Sequence, residues 1–302
     1  MSCKVRYLIF FQYFGSKYSG VMRSPAHQAV LGVQNYLEDA VRKLNPVNEV
    51  SVYVSSRTDS GVHALCNTAH VDIQRKENKP PFSEQILTEA LNYHLKPEPI
   101  SIMKSSIVPP LFHARFNAKS RTYIYRLVTG LRNSSQLPVF EKDLCWLVQE
   151  DQLNVEAMQE AARLFLGTHN FSTFRALNSE TPYKSPVKTM LLADITPGYS
   201  YFAQHHLNRN MQYWDLTFKS NSFLYKQVRR MTGALVAVGQ GRLTLPRLQE
   251  LLEVQDSLAF PRNMSAPPQG LFLKEVEYDD SVLLSCPQCS PEWINISRQK
   301  KD

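Results

Sequence analysis

From Val5 to Tyr13 nearly every position is apolar or aromatic, and Gly15 ends the run, the pattern of a buried strand. Val30, Val33, Leu37, Val41 and Leu44 then recur at helical spacing. Val50, Val52 and Val54 alternate with polar neighbours, as do Ala69, Val71 and Ile73, which predicts two strands. Ile86, Leu87, Ala90, Leu91 and Leu95 place a second helix with Ser83 as its N-cap, and Ile100 to Ile107 reads as a fourth strand. The order is β-α-β-β-α-β.

That order then returns. Lys119–Val128 is a strand, and Leu153–Leu166 a helix stopped by Gly167. Val187–Ile195 and Gln212–Lys219 are strands, and a long helix runs from about Phe223 to Gly239. A short helix near Pro246–Leu252 and a strand over Gly270–Tyr278 complete the set. Two such orders are two ferredoxin-like halves. The expected fold is therefore α+β: residues 1–110 and 111–278 as the halves, their sheets joined into one mainly antiparallel mixed sheet with helices on one face, and a central cleft suited to a ligand. Residues 279–302 fall outside the pattern as a C-terminal tail. No sequence repeat underlies the repeated order.

A chain of 302 residues, 43% hydrophobic, can bury a sizeable core. Its 34 basic and 27 acidic residues leave a net charge of +7, which suits a polyanion such as nucleic acid and equally describes a mildly basic globular protein. Five cysteines show no secreted disulfide framework, so a reducing compartment is expected. No apolar run reaches the ~20 residues that span a bilayer, so no membrane partner is expected. No acidic residue precedes Glu38, in the manner of a mitochondrial presequence, but the strand starting at Val5 argues against cleavage of a long leader.

Four stretches could carry chemistry. In "SSRTDSGVHAL" (55–65) the Val50–Val54 strand delivers Arg57, Thr58 and Asp59 to a Ser60-Gly61 bend. Asp59 is either a turn residue or a carboxylate kept ionised by the neighbouring cation. In "FHARFNAKSRTYIYRL" (112–127), Arg115, Lys119, Arg121 and Arg126 interleave with Tyr123 and Tyr125, a pattern that serves phosphates and stacked bases or a core tyrosine pair. In "NSFLYKQVRRMTGALVAVG" (221–239) the apolar stripe is core, while Arg229 and Arg230 stand mid-helix on a solvated face or reach a cleft; Gly233 and Gly239 imply close backbone packing. Finally "CPQC" (286–289) offers two thiolates where a structural zinc needs four, so it reads as an unliganded turn. No GxGxxG, P-loop, HExxH or GxSxG occurs, so neither nucleotide cofactor nor metal is expected.

Together these motifs resemble the TruA-type tRNA pseudouridine synthases. "SRTDSGVHA" is similar to that family's G-R-T-D-A-G-V-H-A signature, and the 112–127 and 222–239 stretches to its second and third motifs. "VQNYLEDAV", "GTHNFSTFR", "SPVKTM" and "APPQGLFL" follow in family order, so the resemblance covers residues 7–278. The chain's overall character resembles the animal tRNA pseudouridine synthase-like 1 branch. The resemblance implies a cofactor-free isomerisation of uridine in RNA, with tRNA as partner, the anticodon stem-loop as target, a possible homodimer, and a mitochondrial location with cytoplasm or nucleus as the alternative. It implies Asp59 as the catalytic nucleophile, Tyr123 against the target base and Arg229 as the partner of the aspartate. Arg57, Thr58, His63, Arg115, Arg121 and Leu271 are implied to bind substrate. The sequence departs from the family where Tyr13-Phe14-Gly15 replaces Y-D-G, Gly20-Val21-Met22 replaces G-W-Q, and Ser56 and Ser60 replace Gly and Ala. The first two changes alter an RNA- or partner-facing surface rather than the chemistry. The rival expectation is a catalytically silent RNA-binding protein of the same fold.

Overall fold

The computed structural model describes residues 4–76, 79–149, 153–178, 185–200 and 210–284. Among these residues it is a mixed α+β protein of ten strands, mainly antiparallel in their pairing, and six α-helices. The Cys286–Cys289 pair and most of the expected tail lie outside the described residues. The chain divides into two compact units: one takes it through Ser60, Ala64–Lys119 and Glu275 onward, the other Gly61–His63 and Ser120–Lys274.

In the first unit β1 (Lys4–Tyr13) pairs antiparallel with β3 (His63–Gln74) and with β4 (Ile100–Val108). β2 (Val52–Val54) adds to β3, opposing Val52 to Val71 and Val54 to Ala69. The period of two sends Val52, Val54, Ala69, Val71 and Ile73 to one face, and all five are buried. Helices α1 (Val33–Arg42) and α2 (Glu84–Leu95) pack here, α1 against β2 and α2 against β4. Ser83 caps α2 as expected, accepting from the Ile86 N–H. Helix α1 starts at Val33 rather than Val30, because Gly32 is extended and its backbone lies against the Met22 carbonyl. On the opposite face Leu8, Val108, Phe112 and Ala114 form a buried cluster, lined by Phe10, Tyr278, and Val282 and Leu283 of α6 (Asp280–Leu284). Burying Leu8, Val108 and Phe112 contributes about 1.5–3 kcal/mol each.

In the second unit β5 (Ala118–Thr129) pairs with β9 (Gln212–Ser220), β9 with β8 (Val187–Pro197), and β8 with the short β7 (Gly167–Asn170), all antiparallel. β6 (Trp146–Leu147) adds to β5 in parallel. Helix α3 (Val155–Arg163) packs on α4 (Gln227–Gly239) and β8, and α5 (Leu245–Glu253) lies beside β7. β10 (Leu271–Tyr278) begins in this unit and ends in the first. Every residue of α4 except Arg229 and Arg230 is buried. A Cβ on Gly233 would run into the Met264 carbonyl, and one on Gly239 would stand 2.6 Å from Met158 Sδ, so both glycines serve the close packing that the sequence implied.

One boundary differs in a way that matters. The long helix begins at Gln227 and not near Phe223, because Lys226 takes a left-handed conformation (φ 57°). Arg229 and Arg230 therefore stand in the first helical turn, not mid-helix. Cations there oppose the helix dipole, so other interactions must hold them.

Candidate active site

In the first unit the chain leaving β2 is fastened residue by residue. The Ser55 N–H donates to Thr68 O at 2.8 Å, and Asn67 Nδ2 donates to Ser56 O at 2.9 Å. Thr58 Oγ1 lies 2.7 Å from the Tyr13 hydroxyl, and Thr58 O accepts from the Val21 N–H at 3.2 Å. Gly20, at φ 115°, presses so closely that a Cβ would stand 2.6 Å from Thr58 O. Beyond the tip, Ser60 Oγ donates to Tyr18 O at 3.0 Å. Among these anchors Arg57 is exposed and Asp59 half-buried. The bend on which Asp59 stands is continued by Gly61 at φ 77°.

In the second unit Tyr123, on β5, meets Phe223 edge to face with centroids 5.0 Å apart. Two residues on and on the same face, Tyr125 is fully buried and donates to Pro267 O at 2.7 Å. Burial pushes the Tyr125 hydroxyl well above its usual range, while the charge of Arg229 pulls the other way. Arg229 Nε donates to Ala266 O at 2.8 Å, and the Ala266 N–H returns a bond to Arg229 O at 2.9 Å. The Ala266-Pro267 backbone therefore holds both the Tyr125 hydroxyl and the Arg229 guanidinium.

The remaining sequence candidates take varied positions. Thr58 is buried and its hydroxyl is engaged by Tyr13. His63 is fully buried, stacked on Phe272 at 4.6 Å with Nε2 donating to Asp143 O at 2.9 Å, and burial lowers its pKa. Arg121 is buried, and its Nη1 donates to Asn221 O at 2.7 Å, steadying the segment that leads to Phe223 and α4. Arg115 lies over the exposed Phe116 ring at 5.6 Å. Leu271 is buried at the start of β10.

Sequence reasoning missed three supports. Tyr13 gives no sign in the sequence of its bond to Thr58. Arg230 is no solvated cation: its Nη1 donates to the carbonyls of Thr173 (2.8 Å), Arg175 (2.8 Å) and Ser257 (3.2 Å), and its guanidinium covers Phe260 at 4.8 Å. Arg126, counted among the nucleic-acid cations, instead forms a largely buried ion pair with Glu141 at 2.8 Å. Only the bulky partners Phe260 and Glu141 leave any trace in the sequence, and neither has a fixed spacing to its arginine. Among the described residues no group of His, Cys, Asp or Glu could hold a metal ion, and no helix is long and apolar enough to cross a membrane.

The sequence profile of the family described as tRNA pseudouridine synthase matches residues 9–117 and 161–279. The chain belongs to the tRNA pseudouridine synthase family. Asp59 lies in the first matched segment, Arg229 and Leu271 in the second, and Tyr123 between them. The tRNA pseudouridine synthase-like 1 of Xenopus laevis is 60% identical over 93% of this chain and 94% of its own length. Its Homo sapiens counterpart is 47% identical over 97% and 96% respectively. The tRNA pseudouridine synthase A of Paramagnetospirillum magneticum is 36% identical over 91% and 96%. As a pseudouridine synthase the chain is an RNA isomerase.

Proposed function

We propose that this synthase isomerises a uridine in the tRNA anticodon stem-loop, with the Asp59 carboxylate as nucleophile. The observation that carries the proposal is the turn itself: Asn67 fastens Ser56, Tyr13, Val21 and Gly20 fasten Thr58, and Ser60 is tied to Tyr18, so Arg57 and Asp59 each stand between fastened residues. A side chain at a fixed point, at the tip of a pinned bend, is preorganised for attack. The reaction breaks the N1–C1′ bond, turns the base and joins C5 to C1′. The C5 hydrogen leaves as a proton and N1 gains one, so no co-reactant is consumed. Reaching a stacked uridine requires lifting it from the helix, and the exposed Arg57 is suited to fill the place it leaves. By the family likeness, Tyr123 packs against the target base and Arg229 is the basic residue of the reaction. The likeness to the animal branch extends the proposal to a mitochondrial site of action, and the family likeness to a homodimer, which imaging of tagged full-length protein and light scattering test.

Tritium release from tRNA labelled at uridine C5 follows the reaction directly. Asp59→Asn is expected to lower the rate by roughly 10³-fold or more while tRNA affinity holds. A wild-type rate in that variant would overturn the assignment.

A further inference from the structure

In the first unit four aromatic rings form a continuous chain. Tyr53 of β2 lies flat on His70, centroids 4.9 Å apart and planes 11° from parallel. His70 meets His113 edge-on at 4.6 Å, and His113 packs on Phe116 at 4.3 Å. The inner ring is fixed: His70 is buried, and its Nδ1 accepts the Ala114 N–H at 3.1 Å. The outer rings are open, Tyr53 being 51% exposed and Phe116 75%, with Leu111, five residues before Phe116, at 94%. Strand alternation explains the placement. Val52 and Val54 face the core, so Tyr53 must face away from it. Cations accompany the rings. Arg115 lies over Phe116, and Asp72, the acidic group near His70, is neutralised by Arg6 and Lys4 at 2.7 and 3.3 Å. The mechanism proposed above uses neither Tyr53 nor Phe116.

We infer that this ring chain is a stacking platform for an unpaired base of the RNA substrate, separate from the catalytic turn. A tyrosine with one face laid on a buried imidazole and the other open offers a rigid π-surface that any base can cover. Arg115 supplies the cation that a stacked nucleotide's phosphate requires. Rings interleaved with guanidinium, on a chain of net charge +7, fit a polyanion with flat bases rather than a protein partner. Tyr53 precedes Asp59 by six residues, so the Cα atoms of the two lie no more than about 22 Å apart. The platform engages the same RNA molecule a few nucleotides from the reacting uridine. The inference rests on RNA being the substrate.

The test uses full-length protein, a fluorescein-labelled decauridylate and a tRNA transcript. Tyr53→Ala and Phe116→Ala are expected to weaken decauridylate binding roughly 5- to 100-fold, to raise KM for tRNA with kcat retained, and to leave thermal melting unchanged. Tyr53→Trp, which keeps a stacking face, is expected to restore affinity. Unchanged affinity in both alanine variants overturns the platform, whatever protein the rings may capture, and so does failure of Tyr53→Trp to restore a loss. Wild-type protein that binds decauridylate but isomerises no uridine would sink the proposed reaction and leave the platform standing.

Discussion

The hydroxyls of Tyr13 and Thr58 lie 2.7 Å apart with both residues buried, tying the end of β1 to the turn that carries Asp59. Burial pushes the Tyr13 hydroxyl up to about 12, so it keeps its proton through the physiological range and can donate it to Thr58. Tyr13→Phe leaves a buried hydroxyl short of a partner and is expected to cost about 1–3 kcal/mol. The turn should loosen with it. Tritium-release kinetics are expected to show a fall in kcat with KM nearly unchanged, and Thr58→Ser to retain most activity where Thr58→Val does not. Equal kcat in Tyr13→Phe and wild type would show that the turn holds without this bond.

Arg230 satisfies three main-chain carbonyls from two separate loops. Arg230→Met strands those acceptors, and a loss of about 3 kcal/mol is expected in urea unfolding. Arg230→Lys, a point charge in place of a planar fork, should recover only part of it. Full stability in either variant would show that the carbonyls find water instead.

Gly233 has no room for a side chain because the Met264 backbone occupies the place of its Cβ. Gly233→Ala is expected to destabilise by about 1–3 kcal/mol, even though alanine is the better helix former. Since Met264 lies two residues before Ala266, the partner of Arg229, activity should fall further than stability alone predicts. A neutral or stabilising effect in thermal melts would refute the packing argument.

The acid limb of stability should follow buried histidines. His70 is pushed from its ordinary 6.5 down to about 4, first by burial and then by the charges of Arg6 and His113. Its Nδ1 is already used as an acceptor, which a proton would abolish. Between those two values the unfolded chain binds more protons than the folded one. This contribution is therefore complete above about pH 6.5 and is lost as pH falls toward 4, roughly 3 kcal/mol in all. His63, lowered chiefly by burial, acts in the same direction. Urea melts between about pH 7 and pH 4.5 measure the slope, and His70→Asn, which keeps an acceptor but does not titrate, is expected to flatten it.

Element order was legible because its signal is periodic. The alternation of Val50, Val52 and Val54, and the 3.6-residue recurrence through α1 and α2, record which face is buried. The start of α4 was not legible. Phe223 and Leu224 extend an apolar run that only a left-handed Lys226 interrupts, and lysine is not a residue whose chemistry announces that conformation. Strand β7 is four residues of Gly, Thr, His and Asn, too short and too polar to show a period. Asp59 drew notice as a carboxylate two residues from Arg57 at a strand end, but that stretch alone reads equally as a turn, and its assignment rests on the family resemblance. Its fastening was not legible, since Thr68, Asn67 and Val21 act there through main-chain atoms or an amide that any sequence context could supply. Arg230 and Arg126 show the same limit: an arginine bound to carbonyls or to Glu141 is spelled the same as one in water.

Ala266 receives the Arg229 side chain and also bonds to its main chain, so the guanidinium has a very short tether. A cation with that anchorage cannot be retuned on its own. Evolutionary or engineered change in the 264–268 loop, including change selected only for a different RNA, will shift the charge together with the backbone that holds it. New specificity in this scaffold is therefore more readily acquired at surfaces remote from Ala266 than by redesigning the loop that holds it.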